Sequence, residues 1–304
     1  MRVSTSIPKV VLDNCQGFLG VAEFLIDAGF DALDMSFFLK NTEIYGDNRL
    51  ALMRELRAYV ESRGAVWNQA HALFPTIRQG GTPEDEEYNR TTPKMIEENI
   101  RMCEVLGVPQ IVIHPIAFLG ANKEENLAHN IEYYRPFVHV AKECGVRVLV
   151  ENMWGYHRDL PGRIVENVCS NGKELAYYAD TFAHEFSAPD NVGVLVDVGH
   201  AALVGLNPDD MIREVGGERL FGLHLHDVDF YRDNHTLPYL CNLNYEAILN
   251  ALVDVRYKGD ITFEAGNVFK NFPSALLPEV ARLMFRVGDY FRKTVLDGIA
   301  GAEG

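Results

Sequence analysis

Cysteine is scarce and scattered. Cys15, Cys103, Cys144, Cys169 and Cys241 are the only five in 304 residues, and no two stand in a C-x-x-C spacing. An odd, dispersed set argues against a disulfide framework or a thiolate zinc site and fits a reducing compartment. No stretch reaches the ~18 consecutive apolar residues that mark a membrane helix. The start, Met1 to Pro8, has no apolar signal core, so the expected location is cytoplasmic. Basic residues are outnumbered, 28 Lys and Arg against 43 Asp and Glu, for a net charge of −15, and they form no cluster. Such a field repels polyanions, so neither nucleic acid nor a membrane surface is expected as a partner. A glycine-rich phosphate loop is missing too. Ser6-Ile7-Pro8-Lys9-Val10 closes the first β-rich run, and no P-loop or dinucleotide fingerprint occurs anywhere, so nucleotide cofactors are not implied.

What is present is a regular alternation. Short β-rich runs are expected at Val3–Ile7, Ala32–Phe37, Ala65–His71, Gln110–His114, Arg147–Glu151, Val192–Asp197, Leu220–His226 and Asp260–Glu264. Amphipathic helical stretches follow them, among them Thr92–Leu106 with Pro93 near its first turn, Glu125–Cys144 and Leu277–Leu296. Strands alternating with helices imply parallel strands joined by βαβ crossovers. Eight such units favour closure over an open sheet. The expected fold is therefore α/β, a single (β/α)8 TIM barrel over residues 1–296, with a flexible tail at 297–304. Two connections are longer than connectors need be, Ala72–Thr91 with its acidic run Glu84–Glu87, and Asn152–Asn171.

The polar residues carry the functional signal. Successive runs are apolar and then end in a metal-capable side chain: Ile111-Val112-Ile113-His114, Val148-Leu149-Val150-Glu151, Val194-Leu195-Val196-Asp197, Leu223-His224-Leu225-His226-Asp227 and Ile261-Thr262-Phe263-Glu264. In a parallel barrel these C-terminal ends converge on one mouth. Converging carboxylates repel and lose solvation unless a cation joins them. A lone histidine at such a position, His71 or His114, is more often a hydrogen-bonded core residue or a substrate contact than a ligand. Four successive ends bearing Glu151, Asp197, His224 and Glu264 are hard to explain without a metal. Three oxygen donors and one nitrogen favour Mn2+ first, with Mg2+, Co2+ or Zn2+ behind it.

These motifs resemble the xylose isomerase-like barrel superfamily, which holds sugar phosphate isomerases and epimerases, D-tagatose 3-epimerase-like enzymes and the endonuclease IV branch. The carrying residues are Glu151-Asn152, Asp197-Val198-Gly199-His200, His224-Leu225-His226-Asp227 and Phe263-Glu264, and the likeness runs from Arg2 to about Arg292. The resemblance implies that His224 rather than His226 is the ligand. It implies too that Glu151 and Glu264 exchange the substrate's proton and that His200 contacts substrate oxygens. Further substrate contacts are expected from His71, His114, Trp154, Arg232, His226 and Asp227. Asp233 and His235 match the extra ligands of the endonuclease IV branch, which binds three zinc ions. The expected activity is a metal-dependent isomerase or epimerase of a sugar or polyol. A lyase, dehydratase or C-glycoside-cleaving enzyme is the alternative, and a zinc phosphodiesterase ranks below both. Relatives imply a homo-oligomer, dimer or tetramer. Phe230 stands where D-tagatose 3-epimerase-like enzymes carry an arginine, which leaves the substrate open.

Overall fold

The computed structural model describes residues 1–39 and 41–302. Eight parallel strands make one sheet: β1 (Val3–Ser6), β2 (Ala32–Ser36), β3 (Val66–His71), β4 (Gln110–Ile113), β5 (Arg147–Glu151), β8 (Val192–Asp197), β9 (Leu220–His224) and β10 (Ile261–Phe263). A separate antiparallel hairpin, β6 (Trp154–Tyr156) and β7 (Ile164–Glu166), lies within the connection after β5. The order β10-β1-β2-β3-β4-β5-β8-β9 closes through a parallel bridge between Leu225 and Phe263. This is the expected (β/α)8 barrel. No helix among the described residues is long and apolar enough to cross a membrane.

Helices on the outside bury the larger apolar cluster against the sheet. Several stop at a glycine with positive φ, such as Gly107 (82°) and Gly145 (64°), where a side chain would be strained. The barrel interior is divided. On one side Val112, Leu149 and Leu195 form a small apolar floor. On the other, Ser4, Asp34, Asn68, Gln69 and Thr262 are all buried. Ser4 Oγ donates to Asn68 Oδ1 (2.7 Å), and Asn68 Nδ2 donates to Thr262 Oγ1 (3.3 Å).

Two register shifts matter for the site. One falls between Leu33 and Asp34 in the β2–β3 ladder, which sets Asp34 opposite Gln69 rather than Asn68. The other falls in β8–β9, where Leu195 pairs with Gly222. An extra residue on one strand bends it and re-aims its neighbours' side chains.

Three expectations need correction. The helix expected at Thr92–Leu106 runs from Pro83 to Leu106. Thr82 and Asp85 form a capping box there, Pro83 stands in the first turn, and Glu84–Glu86 face the positive helix end. The acidic run is thus helix, and Pro93 sits inside it. The connection after β5 contains the hairpin described above. The last helix extends to Gly301 rather than ending at Leu296, because Val295 is buried and Ile299 packs on the core. Asp297–Gly301 is therefore helical, while residues 303–304 lie outside the described residues.

Candidate metal centre

β5, β8 and β9 each end in a buried polar residue, and β10 is followed by the partly buried Glu264. Glu151, Asp197 and His224 are buried, and the Glu264 side chain is 13% exposed. His224 Nδ1 lies 3.1 Å from Glu151 Oε1, 3.3 Å from Glu264 Oε2 and 3.9 Å from Asp197 Oδ2. One donor atom from each of the four lies within 4.8 Å of every other. Two further groups flank this centre. His71 and His114 join Glu151, and His200 joins Asp233 and His235. Glu151 belongs to both the centre and the first flank, with Oε2 3.0 Å from His114 Nε2 and 3.6 Å from His71 Nε2.

The imidazoles are held from behind. His71 Nδ1 is 2.9 Å from the Ala72 carbonyl, His200 Nδ1 is 2.9 Å from that of Asn152, and His235 Nδ1 is 2.8 Å from that of Glu264. A carbonyl accepts only, so each Nδ1 carries a proton and each Nε2 faces inward, where it can bind a proton or a cation. His71 Nε2 then stands 2.9 Å from His114 Nε2. A proton on His114 Nε2, or a cation held by both rings, satisfies that approach. Asp233 Oδ1 is buried with no hydrogen-bond partner, and Glu151 Oε2 faces only the nitrogens of His114 and His71. These oxygens and inward nitrogens fit divalent cations.

Charge runs the same way. Burial opposes ionisation of Glu151, yet His224 and His114 outweigh it and hold the carboxyl well below its usual range. Burial likewise opposes the Asp197 carboxylate, and His200 and His226 overcome it. Asp233 is lowered against burial by its bonds to His200 and His235. Burial disfavours the charged imidazoles, but Glu264 and Glu151 raise His224 well above the ordinary histidine value. Asp197 and Asp233 do the same for His200. Glu264 and Asp233 carry His235 up to about 10 despite burial. For His114, desolvation prevails over Glu151 and its pKa is lowered. The metal-free centre holds protons where cations would sit.

The sequence matches the xylose isomerase-like TIM barrel family over residues 22–283. The chain belongs to this family. An uncharacterised relative from Methanocaldococcus jannaschii is 25% identical over 251 residues, covering 81% of this chain and 78% of its own. A probable endonuclease 4 of Mycoplasma mycoides is 21% identical over 236 residues, covering 74% of this chain and 73% of its own. A D-tagatose 3-epimerase-like protein of known structure superposes with a TM-score of 0.72 at 18% identity, each chain covered in full, and shows the same fold.

In this xylose isomerase-like barrel both flanking groups, with Glu151 and Glu264 of the centre, line one cavity of about 430 Å3, whose wall also includes Phe74, Thr76, Gln79, Trp154 and Asn167. Of the expected substrate contacts, His71, His114, His200 and Trp154 border it, as do Asp233 and His235. Three others do not. His226 is fully buried behind Asp197, with Nε2 3.0 Å from Oδ1, and its ring stacks on His235 at 4.2 Å. It has room there because Gly199 carries no side chain, and a Cβ would overlap the ring. Asp227 is buried and accepts from the backbone N–H groups of Val228, Cys241 and Leu243, so it organises the loop after β9. Arg232 is exposed, outside the cavity lining, on a turn in which its backbone N–H donates to Asp229.

Sequence reasoning missed Asn152, Asp34 and Gln69. Asn152 Nδ2 donates to the Asp197 carbonyl (2.9 Å), and its Oδ1 accepts from the Asp197 N–H (2.8 Å), tying β5 to β8 beneath the site. The Glu151-Asn152 pair was visible as a motif, and a polar residue between Leu33 and Met35 was the only hint of Asp34.

Proposed function

We propose that this chain is a divalent-metal-dependent isomerase or epimerase of a sugar or sugar phosphate. The observation that carries the reading is the placement of Glu264. It is the one member of the central group with appreciable exposure, and it borders the cavity while Asp197 and His224 are buried behind it. A carboxylate held in that position can reach a proton on a bound substrate. Glu151 borders the same cavity and serves as the second proton carrier.

A divalent ion in the central group supplies Lewis-acid polarisation of a carbonyl and its neighbouring hydroxyl. Glu151, Asp197, His224 and Glu264 would hold it. The five imidazoles across the three groups add nitrogen donors to a carboxylate set, which brings Zn2+ and Co2+ alongside Mn2+. Glu264 takes the proton from the carbon next to the carbonyl. Return to the other face gives the epimer, and transfer to the adjacent carbon gives the isomer. Loss of a β-hydroxyl after the same proton removal would make the enzyme a dehydratase. Phe74 and Trp154 wall the cavity, offering faces to a sugar ring and excluding water. The test is incubation of ketoses, aldoses and their phosphates in D2O with Mn2+, Zn2+ or Co2+. Deuterium entering one carbon, and its loss in Glu264→Gln, is the expected result. No incorporation with any substrate overturns the reading.

One observation favours a second reading. The two flanking groups are candidate three-residue ligand sets that share Glu151 or the cavity with the centre. Three ions so placed would suit phosphoester hydrolysis. The net charge of −15 disfavours a nucleic-acid substrate. Metal analysis separates the two: one ion per chain supports the sugar reaction, and three zinc ions support the hydrolase.

A further inference from the structure

We propose that a second compartment, opening beside the metal cavity, holds a ring joined to the reacting sugar, so that the substrate is a ring-substituted sugar rather than a free or phosphorylated one. The inference rests on the sugar reaction proposed above and names its substrate more closely.

The compartment has a volume of about 510 Å3 around the ends of β1, β2 and β10. It shares Phe74, His235 and Glu264 with the metal cavity, so these three side chains stand at the junction. Glu264 is the proposed proton carrier. A sugar whose reacting carbon lies at Glu264 therefore has room on both sides. A cavity of roughly 300–1,000 Å3 accommodates a whole small ligand, and the metal cavity, at about 430 Å3, already does so for a monosaccharide. The second volume is surplus to one sugar ring.

The two compartments differ in chemistry. Imidazoles and carboxylates line the metal cavity. The second compartment is mainly apolar: Ile7 and Pro8 are buried in its wall, and Val10, Phe38 and Phe74 join them. The Phe38 and Phe74 rings lie 4.8 Å apart, and Phe38 meets His71 edge-on at 5.1 Å. The aromatic wall thus leans on a residue of the metal site, yet Phe74 remains 36% exposed. A ring stacks its apolar face on such a wall, and polar substituents reach the rim. The rim supplies them with partners in Lys9, Asp13 and Lys270, all exposed.

A phosphate is served poorly there. Among the described residues no arginine lines the compartment, so no bidentate fork is offered. Lys9 is committed to both oxygens of Asp13, each at 2.7 Å, which cancels its charge. The backbone N–H groups of Asn267 and Val268 already donate to the carbonyls of His235 and Ala265. Lys270 is then the one uncommitted cation among the described lining residues.

The experiment takes D-fructose, D-tagatose and D-allulose in four forms: free, with a terminal phosphate, and with a glucosyl or a phenyl group on the terminal hydroxyl. Each is incubated in D2O with the wild-type chain and Mn2+, Zn2+ or Co2+. At least one ring-substituted form should exchange with kcat/KM about 10-fold or more above its free and phosphorylated counterparts, because contacts remote from the reacting carbon raise the rate. The glucosyl and phenyl arms show whether the second ring is a sugar or an aromatic group. Val10→Trp should erase that advantage by filling the compartment. Lys270→Trp, at an exposed position, carries the same test if Val10→Trp does not fold. Ring-substituted forms within twofold of the free sugars, a preference for the phosphates, or an advantage that survives both tryptophans overturns the inference and leaves the sugar reaction standing. If no form exchanges, the proposed reaction falls, and saturation-transfer NMR on the metal-loaded chain decides the compartment. Contacts to the glucosyl or phenyl ring that vanish in the tryptophan variants support it, and their absence overturns it.

Discussion

The central ligand group and its two flanks are built differently. Glu151, Asp197 and His224 sit on strand ends and are buried, braced from beneath by Asn152, Asp34 and Gln69. Of the flanks, His71 ends β3 and is buried and the partly buried His114 directly follows β4, but Asp233 and His235 stand on an irregular loop held by Asp227 and Asn267. The centre is thus part of the barrel's own packing. The flank on the loop stands outside the sheet, and it borders the cavity. On the proposed function, metal retention would belong to the strands and the choice of chemistry to the rim.

Removing a central ligand should break this contrast most severely. Asp197→Asn or His224→Ala should abolish stoichiometric metal binding and lower kcat/KM on the order of 10³ or more on any substrate found. Metal analysis and steady-state kinetics check it, and retained metal would place the centre elsewhere. Next in size is the linkage between metal and protons. His224, His200 and His235 have folded pKa values above the ordinary one. Their stabilisation of the metal-free chain is complete below about pH 6.5. It is lost as pH rises through the raised values, about 10 for His235. Glu151, Asp197 and Asp233 have lowered values. Their contribution is present above about pH 4 and lost as pH falls through those values. Metal binding near neutrality should release protons, and affinity should climb with pH. Calorimetry in buffers of different ionisation enthalpy measures this directly, and proton-neutral binding would contradict it.

A flank variant should act more mildly. His235→Ala should leave the central ion in place and either reduce the metals per chain or raise KM by roughly 10-fold, and elemental analysis with kinetics tells which. Smallest is Trp154→Ala, expected to raise KM a few-fold with kcat nearly unchanged, as for lost uniform binding.

The sequence made the centre legible because each ligand closes an apolar run, and a parallel barrel sends all such ends to one mouth. It was silent where geometry is not periodic. Asp34 and Gln69 meet only through a register shift that no hydrophobic pattern encodes. His226 and Asp227 were adjacent to a ligand in the chain, but β9 ends at His224, so alternation no longer fixed where they point. Pro93 looked like a helix start because proline favours first turns, while the capping box at Thr82 already supplied one ten residues earlier.

Gly199 adds something a list of ligands would omit. The missing methyl is what lets the His226 ring stand against Asp197. In a mutational tolerance scan, Gly199→Ala should score like the loss of a ligand, although the residue offers no donor atom to any ion. A fingerprint for this kind of centre should therefore record required emptiness as well as required chemistry.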